Sequence, residues 1–229
     1  MQNKIQELEQ IIQYEFKDKS LIKQALTHSS YANEHRGKCL HNERIEFLGD
    51  AVLELAVSEY LFQNYPKKNE GQMTKIRSSL VCEFTLSQCA RDISIGSYLY
   101  LSKGEEMTGG RERNSILCDA FESVIGAIYL DSGFEEARKF IDRYLLQDVE
   151  DKTLFYDAKT MLQELVQGNN WGVLSYTLLE EKGPDHNKEF LVQVQVGERA
   201  LGSGVGRTKK AAEQQAAYEA MKRLKSEQV

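Results

Sequence analysis

Long apolar runs are missing from this chain. The longest, residues 124–130, is interrupted by Gly126 and falls well short of the ~20 residues that cross a bilayer as a helix. A membrane-spanning helix is therefore excluded. The opening Met1-Gln2-Asn3-Lys4-Ile5-Gln6-Glu7 lacks the apolar stretch of a secretory signal. Cysteine is scarce: Cys39, Cys82, Cys89 and Cys118 show neither CxxC spacing nor a histidine cluster beside them. A zinc site is not expected on that pattern, and reduced packing cysteines in a cytoplasmic protein are. No internal repeat is visible, and no strand pattern occurs before about residue 174. The chain up to there is expected to be helical.

What is present fits a soluble globular protein of one or two domains, with 41% hydrophobic and 28% charged residues in 229. The net charge of −6 argues against a polyanionic partner only until the chain is divided. Residues 1–154 carry 19 Lys+Arg against 25 Asp+Glu, whereas residues 155–229 carry 10 of each. Within the latter, residues 207–225 hold six basic residues against Glu213 and Glu219. The global figure hides a basic patch at one end and an acidic cluster at the other.

Ile5, Leu8, Ile11 and Ile12 recur at helical spacing, as do Leu21, Ile22, Ala25 and Leu26. A helix from Glu43 is expected to run toward Tyr65, with Asn42 placed to cap it and Pro66 to break it. Further helices are expected through Met73–Val81, Leu86–Arg91, Ile116–Leu130 (capped by Ser115) and Glu135–Leu146, with a polar, Gly-rich loop over 102–111. The pattern lapses into a polar linker over 148–156. A different architecture follows: a helix over 158–167, strands over 175–181, 188–196 and 199–204, and a helix over 208–225. The reading is thus an all-α domain over 1–150 followed by a small α+β domain, α-β-β-β-α, over 155–226.

Chemistry concentrates on two helices. Glu43, Glu46 and Asp50 share one narrow stripe, opposite a face of Ile45, Leu48, Val52, Leu55 and Ala56 suited to burial. Such carboxylates repel by a few tenths of a kcal/mol per pair, and an acidic solvated face explains them by itself. A second stripe, Asp119 and Glu122, lies on a helix almost free of other charge. Two carboxylates buried there need compensation. Pairing with Arg44, Lys75 or Arg77 would supply it. A divalent cation between the stripes would also supply it, and Mg2+ prefers such oxygen ligands. Glu46, Asp50, Asp119 and Glu122 suit that cation, with Glu43 and Glu70 nearby.

In the small domain, Lys209 and Lys210 follow Thr208 at a helix start, where the macrodipole disfavours cations unless an anion docks there. The preceding Gly202-Ser203-Gly204-Val205-Gly206 would let backbone come close to it. Thr160, Gln163, Glu164 and Gln167 form a polar stripe that suits either solvent or the 2′-hydroxyls of an A-form minor groove. His186 sits at a loop tip with reach for one more contact.

Asn42-Glu43-Arg44-Ile45-Glu46-Phe47-Leu48-Gly49-Asp50 resembles the signature of bacterial ribonuclease III, and Ser115-Ile116-Leu117-Cys118-Asp119-Ala120-Phe121-Glu122 its second acidic segment. Asp157-Ala158-Lys159-Thr160, Gly183-Pro184-Asp185-His186 and Thr208-Lys209-Lys210-Ala211-Ala212-Glu213-Gln214 resemble a double-stranded RNA-binding domain. The resemblance spans nearly the whole chain, in the family's order. Departures are small: Cys118 stands where alanine is common, Thr208 replaces a frequent serine, and Ser175 sits where proline often precedes the tyrosine. None removes an acidic residue.

The resemblance implies a Mg2+-dependent endoribonuclease (Mn2+ as a substitute) acting on double-stranded RNA, in processing of ribosomal RNA precursors and other transcripts. It implies metal at Glu46, Asp50, Asp119 and Glu122, with Asp50 and Glu122 catalytic and Glu43 and Glu70 auxiliary. Phe47 would serve a homodimer contact, and Thr160, Gln163, Glu164, His186, Lys209 and Lys210 would touch RNA. Each subunit of the dimer would cut one strand, leaving staggered 5′-phosphate and 3′-hydroxyl ends. Two rivals remain at this point: a catalytically silent duplex-binding protein, and a metal-dependent phosphohydrolase for small nucleotides.

Overall fold

A computed structural model describes residues 2–36, 38–183 and 188–227, and the chain divides into two compact units, Met1–Val149 and Glu150–Val229. His186 lies outside the described residues. No described helix is long and apolar enough to cross a membrane.

The first unit is helical: α1 (Gln2–Ile12), α2 (Lys19–Ala25), α3 (Ser29–Glu34), α4 (Glu43–Asn64), α5 (Glu70–Leu80), α6 (Glu83–Asp92), α7 (Lys103–Met107), α8 (Asn114–Ser132) and α9 (Phe134–Tyr144). Its described residues form no strand beyond one isolated bridge, Thr27 to Tyr100. The most apolar helix, α8, takes the centre and packs on α2, α4, α6 and α9. Leu117, Phe121, Val124, Ile125 and Ile128 are buried there. At its C-terminal end Asp131 accepts hydrogen bonds from the Tyr14 hydroxyl (2.6 Å) and the Lys17 and Asp18 amides (3.0 and 2.9 Å), tying down the turn that leads into α2.

Helices α4 and α8 cross with backbone close to backbone at two glycines. A Cβ on Gly49 would fall 1.9 Å from the Glu122 carbonyl oxygen, and one on Gly126 would fall 2.3 Å from the Ile45 carbonyl oxygen. Glycine is unfavourable inside a helix by roughly 1 kcal/mol relative to alanine, so both positions give up helix propensity for a close backbone crossing. Ile45, Val52 and Ala56 bury the expected face of α4, but Leu55 is 59% exposed.

Other expectations shift locally. The 102–111 segment is not simply a loop. Ser102 accepts a hydrogen bond from the Glu105 amide and starts α7, and a 3-10 turn follows at Gly110–Glu112. Ser115 lies inside α8, whose cap position is taken by Arg113. Asn42 precedes α4 but has helical backbone angles and makes no side-chain capping bond; it is buried, and its amide donates to the Thr27 carbonyl (2.9 Å).

The second unit comprises most of α10 (Val149–Gly168), then β1 (Leu174–Lys182), β2 (Glu189–Val196), β3 (Arg199–Gly206) and α11 (Lys209–Ser226). The strands form an antiparallel sheet in the order β1-β2-β3. Residues 149–156, expected as a linker, are the opening turns of α10, and Leu154 is already buried in this unit's core with Ala158, Leu162 and Val166. Val192, Val194 and Val196 turn inward on β2 as their alternation predicts.

The glycines of β3 serve packing. Cβ atoms on Gly202, Gly204 and Gly206 would lie 2.7, 2.3 and 2.5 Å from backbone atoms of Ala216, Ala216 and Ala212 on α11. The close approach that the Gly-rich stretch allows is therefore to a helix, not to an anion.

Replacing Gly126 with alanine tests the α4–α8 crossing. The added methyl gains about 1 kcal/mol of helix propensity but collides with backbone, and overpacking of this kind costs roughly 1–3 kcal/mol. Urea unfolding should show a lower midpoint for Gly126→Ala; an equal or higher one would refute the close crossing.

Candidate active site

The backbone crossing at Gly49 and Gly126 decides what stands beside it. Glu46 and Asp50 flank Gly49 on α4, and Asp119 and Glu122 precede Gly126 on α8, so the two acidic stripes face each other. The electrostatics couple charges across the two helices at Glu46 and Glu122. Burial, then the charges of Asp119, Glu43 and Asp50, push Glu46 up to about 7. Burial, then Asp50, Glu46 and Asp119, push Glu122 up to about 8. Asp119 is raised chiefly by burial, with His28 partly opposing.

The compensating cations offered by the sequence are not there. Among the described residues no lysine or arginine pairs with any of the four carboxylates. Arg77 instead binds Glu54 (2.9 Å) and the Ser58 hydroxyl (2.8 Å). A set of oxygen donors short of positive charge, three of them half-buried (Glu46, Asp119 and Glu122) and Asp50 exposed, fits a hard divalent cation with several oxygen ligands. The donors of Asp119 and Glu122 lie with the Cys118 thiol within 4.8 Å of one another.

Of the supporting residues, Glu43 adds its charge to Glu46 and Asp119 and lies 3.8 Å from His41 Nδ1. Glu70 is exposed at the start of α5 and accepts a hydrogen bond from Thr74 (3.1 Å). Phe47 is 81% exposed, on one stripe of α4 with Leu55 and Phe62. Spacing alone missed His28, which lies far away in sequence. Its Nδ1 accepts from the Ser30 amide (3.2 Å) to cap α3. Spacing also missed Cys118, read above only as packing; burial and the neighbouring Glu122 and Asp119 raise its thiol pKa.

In the second unit, Thr160, Gln163 and Glu164 are exposed along α10 while Ala158, Leu162 and Val166 point inward. They line an open depression with Lys159, Leu174 and Tyr176. Lys159 binds Glu213 of α11 at 2.6 Å, so this face adjoins the first turns of that helix. Lys209 and Lys210 are exposed there. The Thr208 hydroxyl occupies the Ala211 amide (3.1 Å), which leaves fewer of the helix-start amides for an anion than the sequence suggested.

A helical domain with acidic residues on two packed helices is joined to an α-β-β-β-α domain with exposed lysines at a helix start. Family profiles agree on both parts: Ribonuclease-III-like over residues 18–149, and Double-stranded RNA binding motif over 158–224. The chain is 50% identical over 220 residues to Ribonuclease 3 of Caldanaerobacter subterraneus subsp. tengcongensis, covering 95% of this chain and 96% of that one. It is likewise 50% identical over 227 residues to Ribonuclease 3 of Geobacillus kaustophilus, covering 97% and 92%. The nuclease domain of ribonuclease III from Campylobacter jejuni superposes with a TM-score of 0.57 at 46% identity, covering 61% of this chain and 97% of that one. The chain belongs to the ribonuclease III family and is a metal-dependent endoribonuclease for double-stranded RNA.

The raised carboxylates make a pH prediction for the metal-free protein. Glu122 keeps its proton to about 8 when folded and loses it near 4.5 when unfolded. Its contribution is complete below pH 4.5 and is lost as pH rises through about 8. In EDTA the melting temperature should fall across that window, and Glu122→Gln should flatten the fall. An unchanged slope in the variant would contradict the shift.

Proposed function

We propose that Glu46, Asp50, Asp119 and Glu122 hold Mg2+, with Asp50 and Glu122 nearest the chemistry and Glu43 supporting the charge of the cluster. The observation that carries this reading is that Glu46 and Asp50 on α4 and Asp119 and Glu122 on α8 stand at one close helix crossing, with no lysine or arginine in a salt bridge to any of them among the described residues. When bound, the ion supplies neutralisation of the phosphate, an acidified water and stabilisation of the leaving 3′-oxygen. The carboxylates' part is to fix its position. Their rigid placement on two packed helices keeps the reacting phosphate in register.

Thr160, Gln163 and Glu164 address 2′-hydroxyls across the minor groove, and Lys209 and Lys210 address phosphates. His186 adds a contact. None of these contacts reads a base, so the duplex is selected by its A-form shape. The exposed Phe47, Leu55 and Phe62 stripe is an apolar surface of the kind that marks a protein contact. It supports a homodimer in which each subunit cuts one strand, giving staggered 5′-phosphate and 3′-hydroxyl ends. The protein acts in the cytoplasm on precursor transcripts.

Duplex RNA incubated with the protein should be cut with Mg2+ and left intact in EDTA. Glu122→Gln should lower the cleavage rate on the order of 10³-fold, as expected for losing about 4 kcal/mol of metal-derived stabilisation, while duplex binding persists. Cleavage by the variant at the parent rate would remove Glu122 from the site. Lys209→Ala with Lys210→Ala should weaken binding to all duplexes and reduce the slope of log affinity against log salt by about 2; an unchanged slope would place the phosphate contacts elsewhere.

A further inference from the structure

The first turns of α11 carry an acid beside the lysines proposed to meet phosphate. Glu213 follows Lys209 by four residues and Lys210 by three, the spacings at which side chains meet along a helix. A glutamate so placed can capture either ammonium group and repels an anion docking between them. In the structure it captures neither. Glu213 Oε2 turns across to α10 and meets the Lys159 ammonium at 2.6 Å, while the Lys209 ammonium stands 5.8 Å from the centre of the Phe190 ring on β2. Among the described residues, neither Lys209 nor Lys210 takes part in a salt bridge. The Lys159 ammonium is held from a second side, 4.7 Å from the centre of the Tyr176 ring, where the aromatic face attracts a cation. Burial and then the Glu213 charge push the Tyr176 phenol up to about 12, so that carboxylate acts on the same spot. Two contacts fix α11 against α10 on either side of this pair. The Gln214 amide donates to the Tyr156 carbonyl (3.0 Å), and the Tyr218 hydroxyl meets the Asp151 carboxylate (2.7 Å).

We infer that Lys159 is a positioning residue for duplex binding: by holding Glu213 against α10, it keeps Lys209 and Lys210 available to phosphate. Lys159 spends its charge on the carboxylate and acts on RNA through the other two lysines. The pair is partly buried, so salt screens it less than it screens the exposed lysine–phosphate contacts. Without Lys159, Glu213 turns along its own helix toward Lys209 and withdraws one ammonium group from the duplex. The inference rests on the proposed phosphate role of Lys209 and Lys210.

Duplex RNA affinity of the full-length protein, measured in EDTA over a salt series, tests this. Lys159→Ala should reduce the slope of log affinity against log salt by about 1 and weaken binding about fivefold at about 0.15 M salt, the worth of one phosphate contact relative to about 1 M. Adding Glu213→Gln to Lys159→Ala should restore both quantities, although no positive charge has been returned. Glu213→Gln alone should bind at least as tightly as the parent. That single variant breaks the same ion pair, so a loss as large as that of Lys159→Ala would make the pair a mere brace and overturn the inference. A Lys159→Ala defect that Glu213→Gln does not repair would make Lys159 itself an RNA contact and overturn it too, as would a parent slope in Lys159→Ala. Lys209→Ala with Lys210→Ala in the same series separates the two readings. If that variant keeps the parent slope, the phosphate assignment falls and this inference with it; if it loses slope while Lys159→Ala does not, only this inference falls.

Discussion

Two helices bring four carboxylates together only if their axes approach closely, and Gly49 and Gly126 permit α4 and α8 to do so. With backbone against backbone, the stripe before Gly126 meets the stripe around Gly49, and the positions of Glu46, Asp50, Asp119 and Glu122 follow from that contact. Bulkier side chains at the crossing would spread the helices and dilute the charge. The apolar surroundings of α8 act in the same direction, because removing water from Glu122 and Glu46 raises the free energy of their ionised forms.

The centre therefore works against the stability of the metal-free fold. Each proton lost from the cluster adds repulsion that Arg77, engaged with Glu54 and Ser58, does not relieve. Ligands that bind only the folded state stabilise it by mass action, so occupancy and folding are linked through the same side chains. Local disagreement with good packing, here like charges in an apolar helix, is the pattern by which a functional site stands out from its scaffold.

Much of this was legible in the sequence because helical periodicity is local. Three- and four-residue spacings placed Glu46 with Asp50 and Asp119 with Glu122, and alternation placed Val192, Val194 and Val196 inside. What escaped was set by distant partners. Nothing near Gly49 announces that it meets Glu122, and Leu55 looks like a core residue until α4 has neighbours. The α7 turn had a local signal, Ser102 followed three residues later by Glu105, which is the spacing of a capping box; the Gly-rich context masked it. Residues 149–156 looked like a linker because of the polar run Glu150-Asp151-Lys152-Thr153, yet Leu154 and Phe155 pack on the second unit's core and anchor that part of α10. The Gly-rich strand β3 invited an anion-binding reading, and only the register against α11 shows why small residues are needed.

That strand has a further consequence. Where Gly202, Gly204 and Gly206 lie on the alanines of α11, the contact contains almost no rotatable side chain. Side-chain freedom is a large part of what ordering a surface costs, and an interface of glycine and alanine has little of it to lose. The helix that presents Lys209 and Lys210 is thus seated by main-chain contacts on the sheet. Its start is preorganised, and a bound duplex need order only the lysine side chains themselves.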